Sequence, residues 1–335
     1  MLPMESGALA EVDALSRVAG AASCALAPAA RAEQVLDALH GIVPFVCAQL
    51  TRWDPVEQRH STLASRGYAG PLLDHLSGAS FEGELTQLAM HRTRRPMRMR
   101  DLPGDPGDLA TVAEVLLPAG FREGLSMCLV TRSGHYAGVL NLSTDDARHP
   151  GDRASAVIAA LNETLANVVD ATQTARTLAS LLDPGTPALA LAADGTPVEL
   201  AGSDRGPALA EGSALLAALA GQVPRDGHER RFVWPDDENG WLRVRIVPCL
   251  DEAGGRSLSL VTVRPGAHVL GLTRREIEVL TQLASGASNP AIARVLNVSP
   301  RTVATHVEHI LEKLEVSTRA AAVGRAVREA LLLPV

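Results

Sequence analysis

The segment from Leu272 to Leu314 reads LTRREIEVLTQLASGASNPAIARVLNVSPRTVATHVEHILEKL, and its caps and breakers dictate three short helices. Thr273 followed by Glu276 is a capping-box pattern, in which the hydroxyl accepts an amide proton and the carboxylate reaches back to the cap. Gly286 supplies the left-handed residue that ends the first helix. Asn289-Pro290 opens the second, with Asn at the N-cap and Pro at N1, where a missing N–H costs nothing. Asn297-Val298-Ser299 turns the chain, and Ser299-Pro300 repeats the device to start the third helix. Helices of roughly two and four turns across so short a connection describe a helix-turn-helix.

The third helix has two faces. Val303, Val307, Ile310 and Leu314 follow the i, i+4, i+7, i+11 spacing of a core stripe, and Leu311 widens it. Arg301, Thr305, Glu308, His309 and Glu312 lie opposite, with Ala304 and Lys313 on the flanks. Periodicity alone leaves two readings of that polar face open: it is solvated, or it enters a DNA groove.

From Leu272 to Leu331 the chain resembles the LuxR/FixJ-type helix-turn-helix of bacterial transcription regulators. The match includes L-T-x-R-E from Leu272 to Glu276, E-V-L from Glu278 to Leu280 and G-x-S-N from Gly286 to Asn289. It continues through Ile292-Ala293, S-x-x-T-V-x-x-H from Ser299 to His306, and Lys313-Leu314. The resemblance implies double-stranded DNA as partner, with contacts at Arg301, Thr302, Thr305 and Lys313. Glu308 joins this candidate set because it can accept from a cytosine N4 amine, although it can also repel phosphate. Ala304 stands where the family usually has Lys or Arg, and Pro290-Ala291 where a polar-acidic pair is common. Ser317 to Leu332 supplies the fourth helix, which closes such domains and often dimerises them. RNA polymerase is a further partner expected of such a regulator.

Charge and lysine usage narrow the rest. The net charge is −7, yet from His268 onward eight basic residues face six acidic ones, so the acidity belongs to the preceding half. Lys313 is the only lysine in the chain. Relatives of this helix-turn-helix are often driven by phosphoryl-accepting receiver domains or P-loop ATPases, and both need a lysine at their site. Lys313, inside the third helix, can serve neither. No apolar run is long enough to span a membrane, and the N-terminus carries acids rather than a basic n-region. The expected location is therefore cytoplasmic. Cys24, Cys47, Cys128 and Cys249 lie far apart with no C-x-x-C pair, as buried thiols in a reducing compartment would. No nucleophile–base spacing, metal cluster or phosphate loop points to an enzyme, and no cofactor is expected. His40, His60, His75, His91, His135 and His149 could each ligate haem in principle, but a lone histidine is more often a surface or core residue.

Upstream, a helix at Ala32–Ile42 leads to strands Phe45–Trp53 and His60–Arg66, a helix Glu84–His91 and a strand Met97–Met99. The turn-rich Leu102–Gly107 and a helix Leu109–Leu117 follow, then strands Leu125–Arg132 and Tyr136–Ser143 around Ser133-Gly134. A long exit helix spans Asp152 to Leu182. This order resembles a GAF domain, including Gly138-Val139-Leu140 in the last strand. The resemblance implies a pocket between the sheet and the variable middle, with a small-molecule effector as partner; a purely dimerising GAF unit is the other reading. Cys47 and Cys128 read as buried and inert.

Strands at Ala188–Ala192, Val198–Leu200, Arg230–Trp234, Trp241–Val247 and Ser257–Val263, with helix Ala208–Leu219, resemble a reduced PAS domain with a shrunken pocket. Its turns are Asp194-Gly195 and Asn239-Gly240, and Trp234 and Trp241 are expected to pack across a hairpin. Ile158, Leu161, Leu165, Val168, Thr172, Ala175, Ala179 and Leu182 alternate steps of three and four on the exit helix. That spacing fits a coiled-coil seam of a homodimer or a face that covers its own sheet.

The expected fold is multidomain α+β: an N-terminal helical segment over 1–30, a GAF-like antiparallel sheet with helices over 31–182, a small PAS-like α+β domain over 183–266 and an all-α four-helix helix-turn-helix over 267–335. The expected function is a DNA-binding, ligand-responsive, homodimeric transcriptional regulator. The alternative is a dimeric interaction module whose helix-turn-helix no longer binds DNA strongly.

Overall fold

The computed structural model describes residues 4–24, 26–55, 57–224, 227–237, 240–249, 258–266 and 269–334. They form two compact units, one up to Thr174 and one built on the described residues from Ala175 onward. The chain is a multidomain α+β protein with two antiparallel sheets followed by an all-helical domain.

The first unit begins with α1 (Met4–Ser23) and α2 (Pro28–Leu39). β1 (Cys47–Asp54) and β2 (Arg59–Arg66) pair, then α3 (Gly70–Leu76), α4 (Ala79–Gln87) and β3 (Met97–Arg98) follow. A π-helical turn at Thr111–Leu116 precedes β4 (Glu123–Val130) and β5 (Tyr136–Thr144). The strand order is β2-β1-β5-β4-β3. Gly134, at φ 86°, makes the hairpin between β4 and β5 where Ser133-Gly134 signals it. Alternation then sorts the faces. Ala48, Leu50, Met127, Leu129, Leu140 and Leu142 join one apolar core with Val35, Leu36 and Leu39 of α2. Gln49, Ser126, Asn141 and Ser143 project to the other, GAF-like inner face beneath α3 and α4.

The expected long exit helix is three pieces: α5 (Asp152–Ala160), α6 (Asn162–Val169) and α7 (Gln173–Ser180). Two side chains explain the breaks. Asn162 turns inward, accepting from Val130 N at 3.1 Å and donating to the Cys128 carbonyl at 2.8 Å, which satisfies the open backbone of β4. Asp170 Oδ1 accepts from Thr172 N at 2.8 Å and Thr172 Oγ1 at 2.7 Å, an Asx turn that competes with the helix. Ile158, Leu161, Leu165 and Val168 are buried in the unit's own core. The seam spacing therefore covers this sheet, the second of the two readings it allowed.

In the second unit β6 (Ala188–Leu191), β7 (Pro197–Val198), α8 (Ala214–Leu219), β8 (Arg230–Asp236), β9 (Gly240–Cys249) and β10 (Leu258–Pro265) build a PAS-like domain. Its strand order is β7-β6-β10-β9-β8, the same permutation as in the first sheet. Leu189, Leu191, Phe232, Leu242, Val244 and Ile246 pack with Leu215 and Leu219 of α8. The Asn239-Gly240 turn lies partly outside the described residues. The two tryptophans are not a cross-strand pair. Trp234 opposes Leu242 and Trp241 opposes Pro235, and that one-residue offset sends them to opposite faces. Trp234 joins the core under α8, and Trp241 packs against the helix-turn-helix. The inner face is also less shrunken than expected, because Trp234, Leu242 and Pro207 line an open groove of about 410 Å3.

The C-terminal domain comprises α9 (Arg274–Ala284), α10 (Asn289–Val295), α11 (Pro300–Lys313) and α12 (Arg319–Glu329). Ile277, Leu280, Ile292, Val303, Val307, Ile310 and Ala326 form its core, and Val233 of β8 is part of that same core. Val233 N also donates to the Leu332 carbonyl at 2.9 Å, so the segment after α12 runs along the edge of the PAS-like sheet. Edge strands are liabilities when left open, and this one is covered by the helical domain.

Candidate functional site

The helix-turn-helix is held by interactions that the sequence pattern announces. Thr273 Oγ1 accepts from Glu276 N at 3.3 Å and Glu276 Oε2 accepts from Thr273 N at 2.7 Å, completing the capping box. Ser299 Oγ accepts from Thr302 N at 3.0 Å and so starts α11, with Pro300 at its first position. Gly286 (φ 81°) and Asn297 (φ 53°) take the left-handed conformations that end α9 and turn between α10 and α11. One cap is shifted by a residue. Ser288 is the N-cap of α10, because Asn289 Oδ1 instead accepts from Arg319 Nη1 at 3.0 Å and ties α10 to α12. Arg275 donates to the Leu296 carbonyl and to Glu278 Oε2 at 2.7 Å, bracing the turn from α9.

On α11, Arg301, Thr302, Thr305 and Glu308 are exposed, while Val303, Val307 and Ile310 are buried. Three of the exposed side chains crowd the first turn and a half, the part of a recognition helix that meets base edges. Thr305 Oγ1 bonds back to the Arg301 carbonyl at 3.3 Å. Lys313 parts company with this group. Its ammonium lies 2.9 and 2.7 Å from the two carboxylate oxygens of Glu276, at the far end of α11. Burial pushes the Glu276 carboxyl up, but Lys313 and the Thr273 cap outweigh it and hold it below the usual range. Lys313 thus compensates a buried carboxylate, and a phosphate contact would have to compete with that pair. The spacing i, i+37 hid this partnership from a reading along the chain.

The inner face of the first unit carries a buried polar ladder. Ser126 Oγ donates to Asn141 Oδ1 at 2.7 Å, and Asn141 Nδ2 donates to Gln49 Oε1 at 3.1 Å. Gln49 Nε2 in turn reaches Thr62 Oγ1 at 2.8 Å and Ser77 Oγ at 3.0 Å. Beside it, Tyr68, Leu85, Met97, Thr111, Ser126 and Asn141 help line a cavity of about 60 Å3. Ligand sites for drug-sized molecules hold roughly 300 Å3 or more, so the present space suits a molecule of few heavy atoms. Cys47 and Cys128 are buried in their strands; burial raises both thiols, Cys128 to about 12. Of the histidines, His60 pairs with Tyr136 at 2.6 Å, His75 with Thr111 at 2.8 Å and His91 with Glu82 at 2.7 Å. Among the described residues no three His, Cys, Asp or Glu side chains converge as a metal site. No helix among them is long and apolar enough to cross a membrane.

Residues 270–326 match the family described as bacterial regulatory proteins, luxR family. The C-terminal domain is thus a LuxR-type helix-turn-helix. The chain is 57% identical over 61 residues to the probable transcriptional regulatory protein NarL of Mycobacterium tuberculosis, covering 18% of this chain and 28% of that protein. It is 53% identical over 51 residues to the nitrate/nitrite response regulator protein NarP of Escherichia coli, covering 15% and 24%. The chain therefore spans about a quarter of the length of these relatives. Among solved structures, the GAF domain of an Acinetobacter phosphoenolpyruvate-protein phosphotransferase aligns over 55% of this chain and 99% of its own, at 14% identity and a TM-score of 0.35. The first unit is GAF-like in its own strand order and in the helices laid on its sheet.

Proposed function

We propose that this protein is a DNA-binding transcriptional regulator that acts as a homodimer and responds to a small molecule held in the GAF-like unit. The observation that carries the reading is α11: an amphipathic helix, capped and braced on its core side, with Arg301, Thr302, Thr305 and Glu308 displayed on the other. Val327 on α12 is 57% exposed and Val323 half-buried one turn before it, which supports the fourth helix as the dimer contact. Symmetry then sets the two recognition helices about one DNA turn apart, and an effector acts by shifting the population of that geometry. The cavity beside the Ser126–Asn141–Gln49 ladder supports the effector part, with RNA polymerase a further partner.

The test is binding to duplexes selected from a random library, measured across a salt series. Arg301→Ala should cost about 1–3 kcal/mol and relax specificity at one base pair. Ala304→Lys should strengthen binding to duplexes of any sequence, because it adds a phosphate contact. If both substitutions are silent, α11 is not in a groove and the interaction-module reading replaces this one.

A further inference from the structure

The outer face of the PAS-like sheet carries a cleft that the DNA-binding reading does not use. It lies between β8, β9 and β10 and the C-terminal end of α12. Arg231, Arg243, Arg245, Arg264 and Arg328 all line it, and it holds about 460 Å3. Strand register concentrates the charge: Arg231 stands opposite Arg245, and Arg243 opposite Arg264. Like charges directly opposed across strands destabilise a sheet, so the arrangement carries a cost.

Among the described residues the protein's own acids offset only part of it, and Glu329 lines the cleft as well. Glu229 serves both Arg231, at 2.9 Å, and Arg245, at 2.6 Å. Asp183, itself largely exposed, takes Arg264 at 3.0 Å. Arg243 Nη1 donates to the Glu329 carbonyl at 2.9 Å, which pins its guanidinium to the end of α12. Arg231, Arg245 and Arg264 keep about half of their side-chain surface open to solvent. The result is a concave, arginine-rich surface whose Arg231, Arg243, Arg245 and Arg264 forks are each engaged through one nitrogen and present their remaining N–H groups to a ligand. Its volume falls within the roughly 300–1,000 Å3 of small-molecule sites.

We propose that this cleft binds a small polyanion bearing several phosphate or carboxylate groups. Concavity and volume favour a metabolite-sized occupant over a DNA backbone. The ligand would be gripped from two sides, by the PAS-like strands and by Arg328 of the helix-turn-helix domain. Occupancy would thereby tie the position of α12 to the PAS-like sheet.

The test is calorimetric titration of the full-length protein in about 0.15 M NaCl, where the Debye length is only about 8 Å. Sodium tripolyphosphate is the phosphate probe and citrate the carboxylate probe. Saturable binding of either supports the site, and their relative affinities say which group it prefers. Arg245→Gln and Arg328→Gln should each weaken that binding about tenfold or more, through loss of a charge-assisted contact. Both residues are exposed, and an unchanged unfolding midpoint shows that each variant is folded. Absence of binding by both probes overturns the proposal, as does binding that neither substitution weakens. Arg328→Gln weakening duplex binding, with neither probe bound, would assign the cleft to DNA and overturn it too.

Discussion

The two sheets share one strand permutation, yet they close their outer faces in opposite ways. In the GAF-like unit α2 and α6 cover that face with Leu36, Leu39, Leu165 and Val169, so the unit completes its own core. In the PAS-like domain Val233 and Trp241 are covered by the helix-turn-helix, and the neighbouring positions on β8, β9 and β10 carry arginine. A self-contained sheet can fold and unfold alone. A sheet that borrows its cover shares its stability with the lender. The expected consequence is that the first unit melts by itself, whereas the PAS-like sheet and the helix-turn-helix melt together.

The largest effect should come from Leu165→Glu. Leu165 is fully buried in the first unit, and an unpaired carboxylate there should cost more than about 4 kcal/mol. Differential scanning calorimetry should show the first unit's transition lost and the second unit's unchanged. A variant that keeps both transitions and merely dissociates from dimer to monomer would restore the coiled-coil reading of this helix. Loss of both transitions would break the contrast between the two units.

Val233→Ala should be milder, about 2 kcal/mol from two lost methyl groups and the space they leave. Its signature is qualitative. If Val233 truly joins the sheet to the helix-turn-helix, the second unit's single transition should split or broaden, with the first unit's left in place. A uniform shift of one sharp transition would mean that the two domains are held by contacts elsewhere.

Local chemistry was readable along the chain, and long-range partnership was not. The capping box at Thr273 and Glu276, the Ser299-Pro300 start and the Gly134 and Gly286 turns each depend on neighbours within a few residues, and all stand where the pattern puts them. What the chain alone leaves open shares a cause. Steps of three and four from Ile158 to Val168 describe any buried helix face, and they do not say whose surface buries it. Trp234 and Trp241 required a register, because one residue of offset changes the face. The Lys313–Glu276 pair joins residues far apart in the sequence, so no local pattern signals it. The arginine cleft needs three strand registers and the end of a fourth element, so no motif signals it. On α11 the helical period makes Arg301, Thr305 and Glu308 legible and the family resemblance adds Thr302; all four side chains are exposed.

The smallest expected effect concerns pH, and it sharpens the same contrast. The core under α8 is built of Leu189, Phe232, Leu242, Val244 and Ile246, whereas the inner face of the GAF-like unit buries titratable groups. His91 Nε2 lies 2.7 Å from Glu82 Oε1, and His60 Nε2 lies 3.4 Å from Glu82 Oε2. Burial pushes the Glu82 carboxyl up to about 7. Burial, with the nearby His91, pushes His60 down to about 4, and burial lowers His91 as well. A raised carboxyl means that the folded state holds a proton which the unfolded chain releases near 4.5. Its contribution is therefore complete at low pH and is lost as pH rises through about 7. The histidines act in the opposite direction, and their contribution is lost as pH falls from 6.5 toward 4. Between about pH 6 and about pH 8, Glu82 should thus remove about 1 kcal/mol from the first unit. Glu82→Gln has no charge to develop and should flatten that decline while leaving the acid-side loss in place. The second unit's melting temperature should follow the same pH profile in both proteins. A decline of the first unit that persists unchanged in Glu82→Gln would assign it to another group and overturn the raised Glu82 carboxyl as its cause.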